Sequence, residues 1–405
     1  MRVVVGIEAH FYVVNGNAYS SYLTYESFWK RYLEVFDSVL IVARSTESDR
    51  IPEGYKLVTG PGVKLVPLPR YHGPMQFLRK MPQISRTMHS AIKIDDACIL
   101  RVAGNISTQL WTQLPSDRPF GVEVMSDPWI VFSPGSIKGI GRPFHRWLWT
   151  RNLRRQCQQA VAAAYVTKHA LQERYPPRTD AFTTHYSTVD LDLQNICKDP
   201  SSRLEKIHTL PKSLCKTDSP LRLGFIGTFS QIHKLPHIHI QALAACVAKG
   251  INVTLDMIGD GNLLNDMKSL ATRLGVADRV KFHGRIPAGK PIMDVIDSFD
   301  LFLNAAAAEG LPRVVIEAMS RGCPCIASNV GGTGELLGKE HLVAPHDVEG
   351  LAQKILQILN DPKGMAAAVE RNIRVARNYC SDVLEPRRMA FYQALRDRTE
   401  KYLSE

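Results

Sequence analysis

No apolar run in the chain approaches the ~18 residues that a membrane-spanning helix needs, which sets aside a helical integral membrane protein. A cysteine framework is missing too. The eight cysteines stand at 98, 157, 197, 215, 246, 323, 325 and 380, in neither zinc-cage nor disulfide spacing. Only Cys323-Pro324-Cys325 is a close pair, and inside an apolar run it reads as packing. Internal repeats and low-complexity tracts are absent, which excludes repeat architectures and long disordered regions. Helix-turn-helix, zinc-finger and RNP-like patterns are absent as well, so no nucleic-acid partner is expected. The N-terminal run Arg2-Val3-Val4-Val5-Gly6-Ile7 is too short for a signal peptide and reads as a first strand; a cytoplasmic protein is expected.

What is present points to a two-domain protein. The 405 residues are 45% hydrophobic and 22% charged, enough for a large core and long for one domain. A net charge of +11 implies an anionic partner, whether nucleotide or lipid headgroup. Short apolar runs alternate with helical patterns along both halves, the signature of parallel sheets covered by helices. Val3–Ile7, Ser38–Ala43, Lys64–Val66, Ala97–Val102, Phe120–Val124 and Ala162–Thr167 are strand candidates in residues 1–200. Leu221–Ile226, Val253–Ile258, Val280–His283, Leu301–Leu303 and Pro324–Ala327 are their counterparts in residues 221–381. The polar, proline-broken stretch 201–220 reads as a linker, and 382–405 as an amphipathic helix crossing back to the first domain.

Ligands of open parallel sheets bind beyond the carboxyl ends of the strands, so Gly227, Gly259, Gly284 and Glu309 should share one cleft. Glu309 and Glu317 flank a helix start in AAEGLPRVVIEAMSRG, with Pro312 placed like a first-turn residue and Val315, Ile316 and Met319 as the apolar stripe. Amides at Gly310 and Leu311, ahead of that helix, can seat a diphosphate. The two carboxylates can accept hydrogen bonds from sugar and ribose hydroxyls.

This stretch resembles the E-x7-E element of the retaining glycosyltransferases of family 4. The likeness extends through Gly310-Leu311-Pro312-Arg313, Ile316-Glu317-Ala318-Met319, Gly331-Gly332 and Glu335-Leu336-Leu337. It implies the GT-B fold, two doubly wound Rossmann-like domains facing across a cleft. It also implies transfer of a hexose from a nucleoside diphosphate sugar, uridine first and guanosine next, to an acceptor hydroxyl with retention. The acceptor would be a saccharide or lipid-linked, in polysaccharide or glycolipid biosynthesis, with no metal and no other cofactor.

In this reading Glu309 binds the donor sugar, Glu317 the ribose, and Lys234 with the Gly310 and Leu311 amides the diphosphate. Gly227 and Thr228 follow the strand Leu221–Ile226, with Thr228 where many relatives carry arginine and Leu235 where they carry glycine. Arg285 can replace the missing charge. From the first domain, Gly16 in Asn15-Gly16-Asn17 resembles the glycine loop facing the donor phosphates, although by itself it is an ordinary turn. Asp127 either orients a sugar or acceptor hydroxyl or caps the next turn. Asp190-Leu191-Asp192 lies in what resembles the turn closing the first domain, a structural element.

Arg142–Arg155 interleaves arginines with Phe144, Trp147 and Trp149. It is an interfacial helix for an anionic membrane surface, or a two-faced helix burying Trp147 and Leu148. Arg70–Lys80 is a second such patch. Two other activities share the architecture: a sugar-nucleotide 2-epimerase, and a noncatalytic sugar-nucleotide-binding partner.

Overall fold

In the computed structural model, which describes residues 1–136, 141–210 and 219–405, the apolar runs of the first half line up as a sheet. Val3, Val4 and Val5 are fully buried in β1 (Arg2–Val14), which runs well past the expected Val3–Ile7. From Glu8 onward its residues alternate between partly exposed and buried, as in a strand with one wet face. At Asn15-Gly16 the chain turns back as β2 (Asn17–Ser20), antiparallel to β1.

The first sheet is completed by β3 (Ser38–Glu47), β4 (Lys56–Leu57), β5 (Val63–Pro69), β6 (Ala97–Val102), β7 (Gly121–Val124), β8 (Ala162–Tyr165) and β9 (Phe182–His185). The order β5-β3-β1-β6-β7-β8-β9 is parallel throughout. The short strands β2 and β4 form an antiparallel flap beyond it.

The second sheet contains β10 (Leu221–Ile226), β11 (Val253–Ile258), β12 (Val280–Gly284), β13 (Leu301–Asn304), β14 (Cys325–Ser328) and β15 (Leu342–Val343). All are parallel in the order β12-β11-β10-β13-β14-β15, a doubly wound sheet whose winding reverses between β10 and β13. A ligand crevice is expected at that switch point, and β13 leads directly into Glu309.

The stretch 201–220 is not a plain linker. Residues Ser201–His208 form a helix that buries Ile207, and Arg203 donates to the Phe299 carbonyl at 2.6 Å, so this helix docks on the second domain. Leu204 and Ile207, three apart, supply its apolar stripe. The remainder of the linker, 211–218, and Cys215 lie outside the described residues. The C-terminal helix Ser381–Ser404 returns to the first sheet, where Phe391 and Leu395 pack on Gly121 of β7. A Cβ on Gly121 would lie 2.9 Å from the Phe391 ring, so glycine lets the helix approach.

Candidate active site

Helix Arg313–Ser320 buries Val315, Ile316 and Met319 completely, the stripe expected from their spacing. Pro312 is its N-cap, one place earlier than expected, where the lack of an amide costs nothing. Just ahead, Glu309 accepts from Lys234 Nζ at 2.7 Å, with the two side chains 9% and 23% exposed. Lys234 ends the short turn Ile232–Lys234 after β10. The next residue, Leu235, is left-handed at φ 47°, the conformation that favours the glycine it replaces, and its nearly complete burial offsets the strain.

The apolar segment Ala305–Ala308 is tethered by two histidines. His239 Nε2 accepts the Ala305 amide at 3.0 Å, while the His233 carbonyl accepts the Ala307 amide at 2.8 Å. Gly331 and Gly332 lie under the Glu309 loop: a Cβ on Gly331 would be 2.1 Å from the Glu309 carbonyl oxygen, and the Gly332 amide donates to Gly310 at 2.7 Å. Gly310 in turn meets the first domain. A Cβ there would be 2.3 Å from the Met125 carbonyl oxygen. Burial pushes the Glu317 carboxyl up to about 6, against the pull of Arg313 and with Asp190 adding to the rise.

Glu335 bridges the domains as well. Its carboxylate accepts the amides of Lys168, His169 and Ala170 at 2.6, 2.9 and 2.7 Å, at the start of helix Ala170–Arg174 in the first domain. On one side of the Gly310 contact lies a cavity of about 780 Å³, bordered by Glu309, Gly310, Leu311 and Arg313 and, across from them, by Glu8, Arg101 and Met125. A second cavity of about 600 Å³ is lined by Asp127, Arg146, Arg174, Ala307 and Gly331.

Residues 220–361, which carry all of these second-domain groups, match the family model described as Glycosyl transferases group 1. This segment is similar to the group 1 glycosyl transferases. Protein CapJ of Staphylococcus aureus is 26% identical over 331 residues, 81% of this chain and 78% of that protein. The 2-deoxystreptamine glucosyltransferase of Streptomyces kanamyceticus is 30% identical over 197 residues, 48% of each chain. The Anabaena protein HepE, solved in complex with UDP and glucose, superposes with a TM-score of 0.61 at 18% identity, covering 96% of this chain and 98% of its own. The fold is GT-B.

Within the second domain, Gly227, Gly259 and Gly284 lie side by side. The Gly227 amide donates to Ile258 at 2.9 Å and the Gly259 amide to Gly284 at 2.8 Å, and a Cβ on Gly259 would be 1.8 Å from the Gly227 oxygen. Thr228 spends its hydroxyl locally, accepting from the Ser230 amide at 3.1 Å and donating to Asp260 at 3.4 Å. Arg285 is exposed after β12 and lines neither cavity.

Gly16, at φ 77° beside Asn15 at 49°, makes the two-residue turn of the β1–β2 hairpin, is exposed and lines neither cavity. Asp127 is a cap: Oδ1 accepts the Trp129 amide at 2.9 Å and the Tyr175 hydroxyl, and Oδ2 pairs with Arg174. It is 3% exposed and faces the second cavity, whereas Glu309 faces the first. Asp190 is exposed on the rim of the first cavity. Among the described residues, no group of three or more His, Cys, Asp or Glu could hold a metal. Cys323 and Cys325 are buried and free.

Several groups at this site escaped the sequence reading. Glu8 accepts from the Tyr71 hydroxyl and, at 3.1 Å, from the Ile106 amide. Arg101 and Glu123 form a buried ion pair at 2.5 Å. The only sequence signal for these three was a charged residue inside an apolar strand.

Proposed function

We propose that the protein transfers a hexose from a nucleoside diphosphate sugar, uridine diphosphate first, to an acceptor hydroxyl with retention of configuration and without a metal. The observation that carries this reading is the Lys234–Glu309 pair at 2.7 Å beside Gly310, at the switch point of the second sheet. Departure of the nucleoside diphosphate builds charge on phosphate oxygens, which Lys234 and the amides at the start of helix Arg313–Ser320 stabilise without moving a proton. Glu309 then exchanges its lysine partner for sugar hydroxyls, and Glu317 accepts from the ribose. No carboxylate is assigned as nucleophile: attack comes from the face the phosphate leaves, with that phosphate taking the acceptor's proton.

The acceptor is a saccharide or a lipid-linked sugar. Exposed Met75 and Leu78 on helix Gly73–Ala91, and Phe144 and Trp147 on helix Arg142–Gln159, support docking of the first domain on an anionic membrane surface. Trp147 is 55% exposed, so the second helix is not the one that buries this ring. Among the described residues no helix is long and apolar enough to cross a membrane.

The test is incubation with a panel of uridine, guanosine and adenosine diphosphate sugars, with and without chelator. Slow release of nucleoside diphosphate without acceptor, unchanged by chelator, is the expected result. Interconversion of the sugar without release would make the protein an epimerase, and binding with neither reaction would make it a noncatalytic partner. The anomeric configuration of the first product decides retention.

A further inference from the structure

The cavity bordered by Glu309 has a second wall to which the transfer reading assigns no role. Arg31, from the turn Lys30–Glu34, Arg101, from β6, and Arg388, from the C-terminal helix, all reach it. Arg101 and Arg388 are 7% and 5% exposed. The Arg31 guanidinium lies 3.9 Å over the Phe28 ring and that of Arg101 4.7 Å from the same ring. Buried nitrogens remain without acceptors: Nε and Nη2 of Arg31 and Nε of Arg388 have no hydrogen-bond partner among the described residues. A buried N–H left without an acceptor is costly, so a fold that retains three such groups on one cavity wall needs a reason.

The charge around them does not balance. Glu123 pairs with Arg101 and Glu385 with Arg388, but no carboxylate pairs with Arg31 among the described residues. The other acids on the cavity are engaged elsewhere or sit at its rim. Glu8 is held by Arg44 and Tyr71, Glu309 by Lys234 and Glu26 by Lys30, while Glu34 and Asp190 are exposed. Behind the arginines, Tyr32 and Tyr392 stack at 4.5 Å, a water-poor backing that strengthens any ion pair formed in front of it.

We propose that this wall is an anion subsite, in which Arg31, Arg101 and Arg388 hold a phosphate of the acceptor while the acceptor hydroxyl reaches the donor sugar beside Glu309. Planar guanidinium forks suit phosphate oxygens better than single ammonium groups do. The inference rests on the transfer reading above, because it assigns the acceptor half of the same cavity.

Calorimetric titration of the full chain tests it, first with uridine, guanosine or adenosine diphosphate to fill the donor side. Inorganic phosphate follows, and in a separate titration dihexanoyl phosphatidic acid kept monomeric. Both are expected to bind the nucleotide-saturated protein, and Arg31→Gln to weaken both by roughly 10-fold or more with nucleotide affinity unchanged within about twofold. Arg31→Lys, which keeps charge but loses the fork, should fall between. Arg31→Gln strands no carboxylate among the described residues and gives up the contact with the Phe28 ring, so only a small drop in melting temperature is expected; a variant that no longer folds would mark a structural arginine and count against the subsite. Tighter binding of the lipid phosphate assigns a lipid-linked acceptor, and equal binding a soluble one. Nucleotide binding without any phosphate binding, or indifference to Arg31→Gln, overturns the subsite and leaves the transfer reading standing. Failure of every nucleotide to bind defeats the transfer reading instead, and the phosphate titrations then still report on the arginines.

Discussion

Lys234 and Glu309 neutralise each other in the free protein, so each substitution should have a distinct consequence. Glu309→Gln releases the lysine: nucleoside diphosphate affinity should hold or tighten while turnover falls roughly 100-fold. Lys234→Ala leaves a nearly buried carboxylate without a counterion, and nucleotide affinity should fall roughly 10- to 100-fold. Calorimetry beside steady-state kinetics separates the two, and equal small effects would remove the pair from the donor site.

Two buried groups give stability opposite pH dependences. Burial holds His239 down to about 3 against an ordinary 6.5, with Nδ1 donating to the Leu235 carbonyl at 3.1 Å. The unfolded chain therefore takes up this proton first, and the contribution of His239, complete above about 6.5, is lost as pH falls towards 3. Glu317 runs the other way: its proton is held more tightly in the fold, so its contribution is present below 4.5 and lost as pH rises through about 6. Glu317→Gln should stabilise the ligand-free protein by ~2 kcal/mol at pH 8 and by almost nothing at pH 4, read from urea melts. A gain independent of pH would contradict the assignment. That Lys234 and Glu309 would come together was legible, because each follows a strand end of one parallel sheet. His239 was not, since its partner Ala305 is 66 residues away, and neither was Arg31, whose distinguishing property is the lack of a carboxylate or carbonyl partner for Nε and Nη2 among the described residues.

At the scale of elements, the parallel strands were legible because burial on both faces writes them as continuous apolar runs. The hairpin was not. Its signal lay in the alternation of Glu8 to Val14 followed by Asn-Gly, which suits a tight turn as well as a ligand loop. Likewise the proline-broken stretch after Cys197 concealed a two-turn helix, because Leu204 and Ile207 are too few to stand out among charges. The C-terminal helix was anticipated, and its docking can be measured. Phe391 is fully buried against β7, so Phe391→Ala should cost roughly 3–5 kcal/mol in chemical denaturation. A loss below about 1 kcal/mol would mean that the helix does not depend on this ring for its seat.

For the molecule as a whole, the +11 charge and the exposed aromatic residues of the first domain make one joint prediction. The protein should sediment with anionic vesicles at low salt, leave them as salt rises, and ignore neutral vesicles, since each surface cation adds about 1 kcal/mol near an anionic leaflet. Replacing Phe144 and Trp147 by serine should weaken the association without altering nucleotide affinity. Binding that ignores lipid charge would refute the electrostatic part.

Glu335 gives the two-domain arrangement an energetic scale. Because one carboxylate closes the amide end of a helix in the opposite domain, the halves separate along this edge only by exposing that end, at a cost on the order of 1–2 kcal/mol. The cap therefore biases the molecule towards the closed arrangement and lowers the fraction that stands ajar. Glu335→Ala should raise that fraction, visible as a larger radius of gyration in solution scattering that nucleoside diphosphate sugar reverses. The carboxylate then acts as a latch on the cleft.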